Sequence, residues 1–366
     1  MMPEPRATRS GAAALAAGLG ATPRADAFLR GARETARVAL AVGAGVLVAA
    51  GFVLALGYDP LAALRVMFET VFRSWSGFVD TVLQATPLLL IALGYALCYR
   101  ARVWTVGGEG QFHLGAAAAG LVALGLPTAT PAPVGLTLAL AAAIAAAAAW
   151  ALVPGWLRAH RGVNEVVSTL MLNFVGIFVM SWLIRTVLRD PEIPLLQTAA
   201  FPEAFHFPVV GQSRLHLGVA LALALVPAVA YLANGCAFGA RAQAIGANPR
   251  ASRAAGVDVP GTIIALFLLS GALAGLAGAA QVLGVTHRLL VGLSHDFGYT
   301  AVLVALLARN HPVAVIPAAF FFSALVVGAE GVQVELRIPS DFVRVFMGIL
   351  VLFVLAADAL ARRRAP

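Results

Sequence analysis

The feature that most constrains this chain is a succession of apolar runs, each close to the length of a bilayer-spanning helix, separated by short segments that carry most of the charge. A helical span needs roughly 20 mainly apolar residues. Such runs fall at 38–57, 79–98, 108–126, 133–154, 165–187, 215–233, 261–284, 298–309, 312–330 and 342–361. The pattern predicts an all-α integral membrane protein with about ten transmembrane helices, because only helices and closed barrels satisfy their backbone groups in hydrocarbon. Hydrophobic residues make up 61% of the chain and charged residues 11%, with mean hydropathy +0.90. A soluble domain could not hide that much apolar surface.

All 25 basic residues are arginine. A P-loop requires a lysine to reach the terminal phosphates, so a complete one is excluded; if ATP drives this protein, a separate subunit hydrolyses it. Arginine also concentrates in cytoplasmic loops. Placing the N-terminus inside puts most arginines on the cytoplasmic face, among them Arg30, Arg37, Arg100, Arg102, Arg158, Arg161, Arg241, Arg250, Arg253 and Arg362 to Arg364. Both termini are therefore expected in the cytoplasm, in a multi-pass protein of the inner (plasma) membrane. The net charge of +8 is accounted for by topology and anionic lipid, without nucleic acid. Residues 1–37 lack sustained periodicity and read as a disordered cytoplasmic tail; 38–361 form the transmembrane domain and 362–366 a second tail. The apolar–charged alternation over 59–78 suggests a helix along the outer interface, with Trp75 at headgroup level.

The polar residues inside the apolar frame carry the functional argument. The loop at 234–260 is too polar to enter a bilayer, and its middle reads as a short helix: Asn248 as N-cap, Pro249 in the first helical position and Gly256 in a left-handed turn after the last. Arg250 and Arg253 then share one face. Such a helix suits docking against something outside the membrane, although an ordinary surface loop reads the same way. Glu109, among Gly107, Gly108 and Gly110 and followed by Gln111, opens the third span. A carboxylate there must cap, pair or line a wet cavity. Two readings stay open: a structural cap pairing with Arg100 or Arg102, or a contact for substrate. Glu165, Thr169 and Asn173 recur at i, i+4 and i+8 of the fifth span and form one polar stripe. It either bonds to a neighbouring helix or lines a watery path.

The loop at 188–214 is either a solvated connection or a surface for an external partner. The eighth span is short and follows Asp296 and Gly298 much as the third follows its glycines and Glu109. Paired short, glycine-led segments at corresponding positions suggest an inverted five-plus-five repeat with a path between the halves. Alanines of the fourth span and Gly271 and Gly275 of the seventh are expected to pack closely. The seven histidines show no ligand spacing, and the two cysteines, Cys98 and Cys236, read as packing residues. No catalytic or metal-binding constellation is present in the sequence, so neither enzymatic activity nor a cofactor held by this chain is expected.

TVGGEGQFHLG (105–115), VNEVVSTLMLNF (163–174) and RAQAIGANPRASRAAGVDVPGT (241–262) together resemble the membrane permease subunits of bacterial ABC importers, in the simple-sugar and nucleoside branch. The resemblance covers roughly 60–361, and three ordered motifs make it specific. It implies a type II-importer-like fold and a permease pair formed with an identical or sister subunit. It also implies two cytoplasmic ATPase subunits that bind ATP and Mg, and an external substrate-binding protein. By that likeness the coupling segment contains Arg241, Asn248, Pro249, Arg250, Arg253 and Gly256. Glu109, Gln111, Glu165, Thr169 and Asn173 are the candidates for lining the substrate path. This chain departs from the family's pattern at Thr105, where asparagine is usual. The expected cargo is a nucleoside or purine, then a simple sugar, with branched-chain amino acids further off. The rival reading, an ion-coupled secondary transporter, needs an ionisable residue deep in the membrane, whereas the acidic residues here fall near the expected span ends.

Overall fold

The computed structural model describes residues 57–337 apart from 192, 193, 210 and 212, with scattered positions on either side. The contacts divide the chain into Leu61–Val343 and a second unit, Met1–Pro60 with Arg344–Pro366. The described residues of the second unit are mainly helical. The expected spans at 38–57 and 342–361 lie largely outside the described residues, as do the tails at 1–37 and 362–366.

Among the described residues of the larger unit the secondary structure is helical, apart from two isolated β-bridges. Helix α1 (Pro60–Phe72) is followed by α2 (Trp75–Arg100), whose N-cap Ser74 accepts a hydrogen bond from the Gly77 amide at 3.0 Å. Trp75 therefore begins the second expected span rather than closing the interfacial helix, because the Ser74 cap separates the two. Helix α2 continues through Pro87. Next come α3 (Gly108–Gly125), α4 (Ala132–Arg161) and α5 (Glu165–Thr186). The turn between α4 and α5 uses Gly162 at φ 65° and Asn164, which caps α5 by accepting from the Val166 amide. Helix α6 (Leu217–Asn234) leads to two short helices, α7 (Ala237–Ala247) and α8 (Pro249–Ala254). Asp258 caps α9 (Val259–Gln281), which runs into a π turn at Val282–Thr286. Finally come α10 (Phe297–Leu307) and α11 (Val315–Leu336). Six of these, α2, α4, α5, α6, α9 with its π turn, and α11, are long and apolar enough to cross a membrane. The architecture is that of an all-α membrane protein.

Helix α9 sits at the centre, packed on α2, α3 and α4. Lipid tails are as apolar as leucine, so helices gain by close backbone approach rather than by escaping water. Gly135, Ala139, Ala143, Ala147 and Ala151 recur every fourth residue on the buried face of α4. A Cβ added to Gly275 of α9 would lie 2.4 Å from the Ala143 carbonyl oxygen, and one added to Gly115 of α3 would lie 2.4 Å from the Gly275 Cα. Three helices thus meet at backbone contact, as the small residues of the fourth and seventh spans anticipated.

Two expectations need correction. The polar loop at 234–260 holds a second helix, α7, ahead of the expected one; Gly239 and Gly246 let it lie directly on the Ala233 and Arg100 carbonyls. The connection at 188–214 is not simply solvated. Its middle is strapped to the chain beyond α9, with Thr198 N donating to Leu289 O at 2.9 Å, Phe201 N to His287 O at 2.9 Å and Phe207 N to Leu283 O at 2.8 Å. Phe201, Phe205 and Phe207 are buried beneath it.

Three histidines gather under this strap. The His206 and His287 rings stack with centroids 3.8 Å apart. His216, the N-cap of α6, accepts from the Gly218 amide through Nδ1 at 3.1 Å, while its Nε2 is buried without a partner. Burial, and then the nearby His206, lower the pKa of His287, which lies just beyond the π turn. An unfolded chain protonates this ring near pH 6.5, so just below that pH it binds more protons than the folded one, and stability falls as pH falls through that window. The melting temperature of the purified protein in detergent is expected to be level above pH 7 and to drop as pH falls below about 6.5. His287→Asn, whose side chain tolerates the left-handed φ of 53° at this position, should flatten part of that slope.

Candidate functional site

Helix α2 ends at Arg100, but α3 does not start at that level. The intervening chain turns back along α2, held by Val103 N donating to Cys98 O and by the Tyr99 hydroxyl donating to Thr105 O at 3.2 Å. Gly108 then packs on Ile91 and Tyr95, and its amide donates to the Tyr95 hydroxyl at 2.8 Å. At 1.5 Å per helical residue, α3 begins roughly 10 Å back from the end of α2. A side chain on Gly108 would collide with Tyr95, which is the reason for glycine at this step.

Helix α10 begins at the same place from the other direction. Asp296 takes a left-handed φ of 60° to launch it. The Gly298 amide donates to Glu109 Oε2 at 2.7 Å, and the Tyr95 hydroxyl donates to Gly298 O at 3.1 Å. Two helix N-termini therefore face each other inside the bundle. Each presents unpaired N–H groups and a partial positive charge, and unaided they would repel. The Glu109 carboxylate stands between them, in the first turn of α3 and bonded to the first turn of α10. His113, one turn along α3, donates to Glu109 O at 2.8 Å and has Nδ1 3.6 Å from Glu109 Oε1.

The stripe on α5 fastens the same segment from the side. Trp104 N donates to Glu165 Oε1 at 3.1 Å, Val106 N to Thr169 Oγ1 at 3.3 Å and Gly110 N to Asn173 Oδ1 at 2.9 Å, while Asn173 Nδ2 donates to Val106 O at 2.8 Å. Thr169 and Asn173 have no exposed surface. Glu165 also pairs with Arg158 at 3.3 Å, joining α4 to α5. The structure thus brings Glu165, Thr169 and Asn173 onto one stretch of chain, 104–110, whose backbone groups they satisfy, while Glu109, within it, reaches across to Gly298. Gln111 lies beside them, buried, with its Oε1 unpartnered. Thr105, also fully buried, accepts from Gly107 N at 3.4 Å.

Two corrections follow. The expected pairing of Glu109 with Arg100 or Arg102 is not made: Glu109 is turned to Gly298, and the Arg100 guanidinium donates instead to Ala233 O and to Asn234 Oδ1. Nor does Glu109 sit level with the end of α2, since the helix it opens starts beside Ile91 and Tyr95. The sequence reading missed Tyr95 and His113, and it singled out Gly298 without pairing it to Glu109. The i, i+4 spacing of Glu109 and His113 was a usable signal; Tyr95 was masked by an otherwise apolar span. Among the described residues no group of histidine, cysteine and carboxylate side chains is arranged to hold a metal.

At the far end of the bundle from the histidine strap, Asn248 Oδ1 accepts from the Arg250 and Ala251 amides at 3.0 and 3.1 Å. Pro249 occupies the first helical position, Gly256 takes φ 81°, and Arg241, Arg250 and Arg253 are exposed.

Residues 77–355 match the family described as branched-chain amino acid transport system / permease component. The chain belongs to this permease family. It is 34% identical to the glucose ABC transporter permease protein TsgB13 of Haloferax volcanii, over 90% of this chain and 88% of the relative. It is 33% identical to the guanosine ABC transporter permease protein NupP of Bacillus subtilis, over 88% of this chain and 91% of the relative. The nucleoside ABC transporter permease protein NupB of Lactococcus lactis is 28% identical, over 86% and 89% respectively. No solved structure gives a significant match. The permease is accordingly a multi-pass membrane transport subunit of the simple-sugar and nucleoside type.

Asn173→Ala would leave the Gly110 amide and the Val106 carbonyl buried and unpaired, each costing about 1–3 kcal/mol. The expected outcome is a large fall in melting temperature in detergent, with Asn173→Asp recovering only the half that accepts from Gly110.

Proposed function

We propose that this permease is the membrane subunit of an ATP-driven importer that carries a nucleoside or purine, or a simple sugar, across the inner membrane. The observation that carries the reading is the capped, outward-facing α8. It is held between two membrane helices and presents Arg250 and Arg253 in a chain whose lack of lysine precludes a P-loop of its own. ATP and Mg belong to two cytoplasmic ATPase subunits that dock on Arg241, Asn248, Pro249, Arg250, Arg253 and Gly256. An external binding protein delivers the cargo, and the pore forms with a second permease, identical or sister. In this reading the chain has ten spans in an inverted five-plus-five arrangement with both termini cytoplasmic. The facing starts of α3 and α10 support it, because half-helices meeting at mid-depth mark the translocation site in transporters built from such repeats. Closure of the ATPase pair moves α8, and the permease pair rocks between outward- and inward-facing states.

Glu109, Gln111, Glu165, Thr169 and Asn173 then border the path where the broken helices meet. The names of the relatives support a nucleoside or a sugar as cargo over a branched-chain amino acid.

The buried Glu109 is the one observation that favours ion-coupled transport, and a vesicle experiment separates the two. With ATPase subunits, partner permease and binding protein present, uptake of labelled guanosine or glucose is expected to require ATP and to survive a protonophore. Accumulation by the permease without an ATPase, or its loss to the protonophore while ATP remains, would refute the proposal. Arg250→Glu with Arg253→Glu is expected to abolish uptake and ATPase docking while the melting temperature stays within a degree or two of the parent.

A further inference from the structure

Resting on the reading just given, we propose that Arg100 is the positioning residue through which movement of the α7–α8 segment reaches the broken start of α3. Three observations converge on it. Its guanidinium donates to Ala233 O and, at 2.5 Å, to Asn234 Oδ1, gripping the carbonyl end of α6 where the chain leaves for α7. Its own backbone carbonyl is the floor on which α7 lies, since a Cβ on Gly246 would come within 2.2 Å of Arg100 O. Arg100 is also the last residue of α2, so whatever displaces it displaces the chain that follows.

That following chain has little slack. Ala101 and Arg102 are turned by hydrogen bonds from their amides to Cys98 O and Tyr99 O, with Arg102 at φ 54°. Trp104 packs against Tyr99 with ring centroids 4.6 Å apart and the rings tilted by 38°, and its amide donates to Glu165. Val106 is held by Thr169 and Asn173, and two residues later Gly108 meets Tyr95. Each link is a packed or hydrogen-bonded contact, the kind of network that carries coupling between sites. Arginine suits the junction because its planar fork reaches two acceptors in fixed geometry, which a lysine ammonium does not. On the α6 side the acceptors are a helix-end carbonyl and an amide, so the grip uses the favourable interaction of a cation with a helix C-terminus. The Arg100 guanidinium bonds the end of α6 rather than the docking helix itself, so it acts after docking.

The experiment uses the full complex in lipid nanodiscs for ATP turnover and in vesicles for uptake, with Arg100→Ala, Arg100→Lys, Asn234→Ala and the Arg100→Ala/Asn234→Ala double variant. Ser323→Ala serves as a stability control, because it removes a buried bond to Thr81 O elsewhere on α2. Arg100→Ala is expected to bind the ATPase as the parent does but to lower solute moved per ATP hydrolysed by about fivefold or more. Arg100→Lys should recover part of it, and the double variant should be no worse than Arg100→Ala. If Arg100→Ala fails to assemble, Asn234→Ala carries the test, since it removes one acceptor and leaves the arginine in place; an unchanged ratio there overturns the proposal. It is equally overturned if Arg100→Ala keeps the parent's ratio, or loses no more than Ser323→Ala. Failure of the importer reading looks different: the parent complex itself would show no ATP-dependent uptake, and the paired Arg250 and Arg253 variants would behave like it.

Discussion

Two helix N-termini brought face to face inside a bundle have no water to absorb their unpaired amides, and the structure depends on how that is resolved. Glu109 supplies an acceptor for the Gly298 amide at the start of α10, and the Tyr95 hydroxyl joins the two ends by accepting from Gly108 and donating to Gly298 O. The irregular chain leading to α3 is then satisfied amide by amide from the α5 stripe. Non-helical backbone survives at such depth only when protein or water meets its polar groups; here protein does so at nearly every step.

Close packing makes the arrangement possible. The alanine face of α4 and the glycines of α9 bring backbones into contact around the central helix, and Gly115 extends that contact to α3. With α9 seated between α3 and α4, small shifts at one end of the bundle are not absorbed by soft side chains. Rigid contacts of this kind favour movement between discrete arrangements over gradual deformation. That is the mechanical property that the proposed rocking, driven through α7 and α8, requires.

The polar stripe shows both the reach and the limit of a single sequence. Periodicity placed Glu165, Thr169 and Asn173 on one face of a helix, and they do share it, but nothing local disclosed what that face meets. The structure shows that the face meets the backbone of 104–110. The histidine strap is a stronger case, because His206, His216 and His287 are spread over three segments with no spacing to relate them. Helix α7 was missed since its alanines and glycines are ambiguous without the surface they lie on.

What the sequence determined by itself was what repeats or terminates locally: the apolar runs, the cap at Asn248, the small-residue faces, and the three motifs that revealed the family. These follow from helical periodicity and from backbone groups within a few residues of one another. Only the tertiary structure decided that α3 and α10 start at the same point, that Glu109 serves a helix 189 residues away rather than a neighbouring arginine, and that Arg100 grips α6. The reason is physical: a buried polar group must find a partner, but the chain's local pattern states only that one is needed, and folding selects which distant segment provides it.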